Sequence, residues 1–150
     1  MSLSYSKKTK FGITIYFFLA FAFYYTYVVL EIYRLNKSKY WISKSDLTLN
    51  DVESIAQLGS WVNSFQLAFV TLFFAGTILA IARKSHSFLT RFLLLSISLF
   101  VIIIAVNFIL YFIFTISLGN LMQPLILPSC GLAVLGISWL WLHYRKKRVF

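Results

Sequence analysis

The chain has 150 residues, of which 60% are hydrophobic and only 12% are charged, and its 14 Lys and Arg outnumber 4 Asp and Glu to give a net charge of +10. A soluble domain is about 25% charged and 45–50% apolar, and a soluble fold of this size could not bury so much apolar surface. The composition therefore excludes an ordinary soluble protein and predicts one integral membrane domain over residues 1–150.

The first apolar run covers residues 11–33 and contains Glu31 as its only charge. Ala20 and Ala22 have the spacing of a signal-peptide cleavage site, but the apolar run continues about ten residues beyond them. We therefore interpret the segment as an uncleaved first membrane span.

Residues 34–60 form a long and nearly neutral connection. Asn50 and Glu53 have the spacing of a helix capping box, and the apolar residues that follow the cap fall on one helix face. Gly59 is predicted to end this helix. This pattern predicts a short interfacial helix, lying on the membrane surface in the first extracytoplasmic loop.

Three further apolar runs cover residues 61–82, 92–114 and 121–142. The run 92–114 has no charge, and as a helix it would reach about 34 Å, enough to cross a hydrocarbon core of about 30 Å. Only helices, or a barrel far larger than this chain, satisfy every backbone group in lipid. The sequence therefore predicts an all-α fold, an integral membrane four-helix bundle.

Basic residues are distributed unequally between the two sides of these spans. The termini and the loop 83–91 carry ten Lys and Arg, against four for the connection 34–60 and none for the third loop. The positive-inside rule then predicts that both termini are cytoplasmic, in a bacterial cytoplasmic (plasma) membrane.

The basic tail lies next to the last span and would attract anionic lipid headgroups at about 1 kcal/mol per residue. Because topology already accounts for these charges, we expect no nucleic-acid partner. The tail residues are Arg145, Lys146, Lys147 and Arg148.

Small residues in two of the spans permit close approach of helix backbones, which drives association in lipid. Gly76 and Ala80 in the second span, and Gly131 and Gly136 in the fourth, are predicted to bring these helices together.

Two prolines, Pro124 and Pro128, lie one turn apart near the start of the fourth span. Each removes a backbone hydrogen bond, which predicts a kink. The carbonyls that are freed either find partners or line a wet cavity.

Polar side chains concentrate in the predicted outer half of the spans. On the first span, Tyr24 and Tyr27 share a helix face with Glu31 and Arg34. We expect an outward-facing polar pocket, although bridges between helices worth about 0.6 kcal/mol each are an alternative role for the same groups. The predicted pocket residues are Glu31, Arg34, Asn63, Gln66, Asn107, Tyr111 and Gln123.

Groups for catalysis are scarce. His86 and His143 are predicted to be cytoplasmic and far from every carboxylate, and Cys130 is the only cysteine. These residues form no acid–base pair and no metal-ligand set. We therefore expect neither an enzyme nor a bound cofactor or metal.

Two functions remain after these exclusions. The favoured one is a non-enzymatic subunit, accessory or immunity-type partner of another membrane protein, since small four-span immunity proteins against pore-forming bacteriocins share this size and layout without a shared motif. The alternative is a small oligomeric transporter, channel or lipid-handling protein that uses the polar pocket. The first needs a foreign membrane partner or self-association, and the second needs an intramembrane polar path.

Overall fold

The computed structural model describes residues 7–43 and 48–147. Within them the chain is all-helical, and four helical segments are long and apolar enough to cross a membrane. This confirms the predicted all-α fold with four helices able to span a membrane. The helices are α1 (Lys7–Ile42), α2 (Leu49–Ala82), α3 (His86–Phe114), α4 (Leu118–Met122) and α5 (Ile126–Lys147), with a 3-10 turn at Gln123–Leu125 between the last two.

The surface of the bundle is mostly apolar. In the most apolar stretch of each candidate span, only 22–28% of the residues are buried within the protein. Large side chains such as Phe18, Ile109 and Phe112 point outward. The remaining apolar surface is available to lipid, as expected for helices that have hydrocarbon as their solvent.

The first two helices are longer than the predicted spans. α1 has 36 residues and α2 has 34, so that at 1.5 Å per residue each exceeds 50 Å and a hydrocarbon core of about 30 Å. α2 runs without a break through Gly59, so the predicted helix stop there is wrong. A glycine within a helix costs only about 1 kcal/mol relative to alanine, which neighbouring packing can offset.

The N-terminus of α2 has a different cap from the predicted one. Thr48, rather than Asn50, is the N-cap, and its hydroxyl accepts the backbone N–H of Asp51 while the Asp51 carboxylate accepts the backbone N–H of Thr48. The residues assigned to a short interfacial helix are thus the first turns of α2.

The long helices alternate in direction, which creates two different ends. We call the end formed by the start of α1, the turn at residues 83–85 and the end of α5 the basic end. The other, formed by the end of α1, the start of α2 and the connection from α3 to α4, is the loop end. The left-handed backbone of Lys84 (φ 47°) makes the tight turn at the basic end, and that of Thr115 (φ 51°) ends α3 at the loop end.

Aromatic side chains fill the centre of the bundle. Phe69 and Phe73 of α2 are fully buried, with Tyr24 against Phe69 and Phe100 against Phe73 at ring-centroid distances of 5.3 and 5.5 Å. Towards the basic end, Phe92 packs against α1. These contacts hold α1, α2 and α3 together by shape complementarity.

Two predicted glycine sites lie at helix interfaces. A methyl group at Gly76 would overlap the ring of Tyr16 from α1, and one at Gly131 would lie 3.2 Å from the ring of Phe73 from α2. Gly76 therefore accommodates α1, while Gly131 brings α5 onto α2. Ala80 is buried, whereas a methyl group at Gly136 would meet nothing within 4 Å.

Candidate functional site

A buried polar cluster lies near the loop end of the bundle. On α1, Tyr24, Tyr27 and Glu31 face the bundle interior and are at most 3% exposed. Their spacing of three and four residues places them on one helix face. Asn107 of α3 is fully buried and contacts Tyr24.

The two tyrosine hydroxyls bind the backbone where the last span is broken. Tyr27 donates to the carbonyl oxygen of Asn120 at 2.6 Å, and Tyr24 donates to that of Leu121 at 2.7 Å. The Asn120 carbonyl is the one that residue 124 would bond in a regular helix, but Pro124 has no N–H. A side chain from α1 thus satisfies the carbonyl that the proline leaves without its helical donor.

Asn107 connects α3 to the hydrogen bond between Tyr24 and the Leu121 carbonyl. Its Nδ2 donates to the hydroxyl oxygen of Tyr24 and lies 3.4 Å from the carbonyl oxygen of Leu121. Its Oδ1 is buried and has no hydrogen-bond partner among the described residues. The amide therefore links α3 to α1 and to the segment before α5, with one acceptor left unsatisfied.

Glu31 forms a bidentate ion pair with Arg34, one turn further along α1. Arg34 Nε lies 2.8 Å from one carboxylate oxygen and Nη2 lies 2.7 Å from the other. The Glu31 side chain is 3% exposed and that of Arg34 is 33% exposed. The guanidinium therefore reaches the surface while it compensates a buried negative charge.

The other four predicted pocket residues do not join this cluster. Asn63, Tyr111 and Gln123 are exposed and Gln66 is half-buried. Within the described residues, three cavities have volumes of about 320, 490 and 540 Å³. None of the seven predicted pocket residues lines any of these three cavities. Of the seven predicted residues, Glu31 and Arg34 thus bond to each other, and Asn107 bonds to Tyr24 and lies close to the carbonyl of Leu121.

A second cluster, at the basic end, was not predicted from the sequence. The rings of His86 and His143 lie 5.7 Å apart between centroids, and both pack against Trp139 of α5. Trp139 Nε1 donates to the Thr90 hydroxyl at 2.8 Å, and that hydroxyl donates to the carbonyl of His86. These contacts join the start of α3 to the end of α5.

The basic tail is only partly described. Arg145 is exposed, and its guanidinium lies 5.3 Å from the ring centroid of Trp141. Lys146 and Lys147 belong to α5, but their side chains, and all of Arg148, lie outside the described residues.

Among the described residues, no three His, Cys, Asp or Glu side chains lie close enough together to hold a metal ion. Cys130 is exposed on α5. No family model, curated protein or solved structure matches this chain.

Proposed function

We propose that this protein is a non-enzymatic partner of another membrane protein, and that it binds that protein through an exposed face of α2. The supporting observation is the small-residue face of α2, formed by Ser64, Ala68, Thr71 and Ala75. Three of these residues are exposed and Ala68 is half-buried.

The shape of this face suits a helix. Its residues follow one another at intervals of four, three and four positions, so they form one stripe. The stripe lines a shallow cavity of about 540 Å³ together with Phe23, Leu67 and Leu72. Lipid tails gain little from such a stripe, whereas a second helix gains close backbone contact.

The buried polar cluster supports a partner rather than a transporter. Tyr24, Tyr27 and Arg34 are engaged with backbone carbonyls or with Glu31. A transport path needs polar groups that can exchange their partners with a substrate or an ion. The hydrogen bonding seen here favours a structural role for the same groups.

Photo-crosslinking in native membranes tests the proposed face. A benzophenone amino acid at position 68 should give a discrete adduct with one foreign membrane protein, and Ala68→Leu with Ala75→Leu should abolish co-purification of that protein. The matched control is Ala105→Leu with Ala133→Leu, at two exposed alanines on α3 and α5, which should leave co-purification unchanged.

Two results would contradict this proposal. An adduct at twice the mass of the chain would show that a second copy occupies the face and would favour the oligomeric alternative. Equal loss of the partner in the control pair would show that the interaction does not use α2.

The proposal includes an orientation, with the basic end in the cytoplasm of a bacterial cell and the loop end outside. Because α1 and α2 exceed the membrane thickness, their ends at the loop end would extend past the hydrocarbon core as a helical hairpin. Lys37 supports this hairpin, since its Nζ contacts Ser54 of α2 at 3.3 Å and lies 4.8 Å from the ring centroid of Trp41.

Cysteine labelling of sealed cells tests the orientation. On a Cys130→Ser background, Ser43→Cys should react with an impermeant maleimide from outside, and Tyr144→Cys should react only after permeabilisation. Both positions are exposed. Labelling of the two from the same side would contradict the four-span topology, and reversed labelling would contradict the orientation.

A further inference from the structure

An apolar groove with a cationic rim lies at the basic end, between α2 and α5. Its volume is about 490 Å³, within the range of small-molecule sites. We call it the α2–α5 groove. Its lining residues are Ile81, Lys84, Ile137, Ser138, Trp141, Leu142 and Arg145.

The walls and the rim of this groove differ in chemistry. Ile81 and Leu142 are half-buried, while Ile137 and Trp141 are 67% and 60% exposed. Lys84 and Arg145 are exposed and supply two positive charges. The groove therefore offers an apolar surface that runs towards a pair of cations.

Among the residues that the structure describes, no carboxylate side chain lies at this end of the bundle. All four acidic residues of the chain fall between positions 31 and 53, so they belong to the far half of α1, the first connection and the start of α2. The one ion pair within the described residues joins Arg34 to Glu31. Lys84 and Arg145 thus have no acidic side chain as a counter-ion within the described part of their own end of the bundle.

The positions of the two cations are set by the fold. Lys84 takes the left-handed backbone of the turn between α2 and α3 (φ 47°), which presents its side chain where α2 ends. Arg145 lies 5.3 Å above the ring of Trp141, a contact that limits the freedom of a long side chain. A guanidinium held in this way presents paired N–H donors to a phosphate.

We propose that the α2–α5 groove binds one anionic phospholipid. Its phosphate lies between Lys84 and Arg145, and one acyl chain lies along Ile81 and Ile137. Trp141 sits at headgroup depth, where indole rings are favoured. Basic pockets between membrane helices bind such headgroups. This site differs from the general attraction of anionic lipids by the basic tail, because it requires a groove as well as charge. It is also independent of the membrane protein proposed to bind α2.

Native mass spectrometry of the detergent-solubilised full-length protein tests the proposal. The probes are phosphatidylglycerol and phosphatidylcholine with identical acyl chains. The wild-type protein should bind one phosphatidylglycerol at least tenfold more tightly than phosphatidylcholine. Lys84→Gln with Arg145→Gln should weaken phosphatidylglycerol binding about tenfold, since each cation contributes to headgroup binding.

Two further variants separate a groove from diffuse charge. Arg83→Gln with Arg91→Gln removes the same charge from the same end but from residues that do not line this groove, and should change binding less than threefold. Ser138→Phe keeps every charge but fills the groove, and should weaken binding about tenfold. Each variant is compared with the wild-type protein only if the two have equal helical content and equal elution volume, so that fold and size are unchanged.

Three outcomes would overturn the inference. Equal affinity for the two lipids would remove the role of the cations. Equal effects of the two charge pairs, with no effect of Ser138→Phe, would leave only diffuse attraction. Dimers that dissociate when Ser138 is replaced would identify a second copy as the occupant.

Discussion

At the loop end, buried polar side chains are bonded to one another and to the backbone, whereas at the basic end Lys84 and Arg145 flank an open apolar groove. The two ends also hold their helices together differently. Hydrogen bonds to backbone carbonyls near Pro124 join α1 to the last span at the loop end, while tilted contacts between aromatic rings join the helices at the basic end.

This contrast separates polar groups that stabilise the fold from charged groups that are available to bind a ligand. A polar group that already has a protein partner gains little from a ligand, because binding only exchanges one partner for another. A cation beside an apolar groove without a counter-ion has more to gain from a bound phosphate. Substitutions at the loop end should therefore change the free energy of unfolding, and charge substitutions at the basic end should change lipid binding.

The largest effect is expected from the ion pair. Arg34→Met should lower the free energy of unfolding by about 3 kcal/mol, because it leaves the buried Glu31 carboxylate uncompensated. Glu31→Met should cost about 1 kcal/mol, since the freed Arg34 side chain can extend to the headgroups. Reversible unfolding in bicelles measures both.

The double variant is the internal control for this pair. Glu31→Met with Arg34→Met should be close to Glu31→Met alone. If Arg34→Met costs no more than Glu31→Met, the buried carboxylate is not the reason for the effect, and the asymmetry proposed for this pair is wrong.

An intermediate effect is expected from aromatic packing nearer the basic end. Gly76→Ala should lower the free energy of unfolding by about 1–2 kcal/mol, because the added methyl group displaces the Tyr16 ring, which also packs on Phe17 and Phe92. Reversible unfolding in the same bicelles measures it. The control, Gly136→Ala, meets open space and should be neutral or slightly stabilising.

The smallest effects are expected from the tyrosine hydroxyls. Tyr24→Phe should cost about 1 kcal/mol and Tyr27→Phe about 0.6 kcal/mol of unfolding free energy, within the range for hydrogen bonds between membrane helices. Tyr25→Phe, on the exposed side of α1, should cost nothing measurable. Unfolding in bicelles compares the three.

A double-mutant cycle sharpens this test. Pro124→Ala restores an N–H that can bond the Asn120 carbonyl, so Tyr27→Phe should cost less in that background than in the wild-type protein. An unchanged cost would show that the Tyr27 hydroxyl does not compensate the missing proline N–H.

Much of the fold was predictable, because continuous apolar composition determines which segments enter lipid. The predicted ends at residues 82 and 114 coincide with the ends of α2 and α3. α2 and α3 begin before the predicted spans at residues 61 and 92, since hydropathy reports the lipid boundary while a helix continues through polar residues until a cap ends it. Thr48 and Asp51 provide that cap for α2.

The polar cluster was partly predictable. Periodicity placed Tyr24, Tyr27 and Glu31 on one face, and Pro124 indicated a carbonyl that needs a partner. The hydrogen bond between this face and that carbonyl depends on the packing of α1 against the last span, which periodicity does not predict. The contact between His86 and His143 could not be predicted for the same reason, because it depends on the packing of α3 beside α5.

The break at Pro124 bears on the order in which the chain is built. A ribosome releases α1 early, and the phenol groups of Tyr24 and Tyr27 have no carbonyl acceptor from the last span until residues 118–126 emerge some ninety positions later. The carbonyls of Asn120 and Leu121, in turn, would enter the hydrocarbon core without these donors, at a cost in free energy, unless α1 is already in the bilayer. In a chain cut short before residue 118, Tyr24 and Tyr27 would therefore lack the carbonyl acceptors that they bond in the full protein.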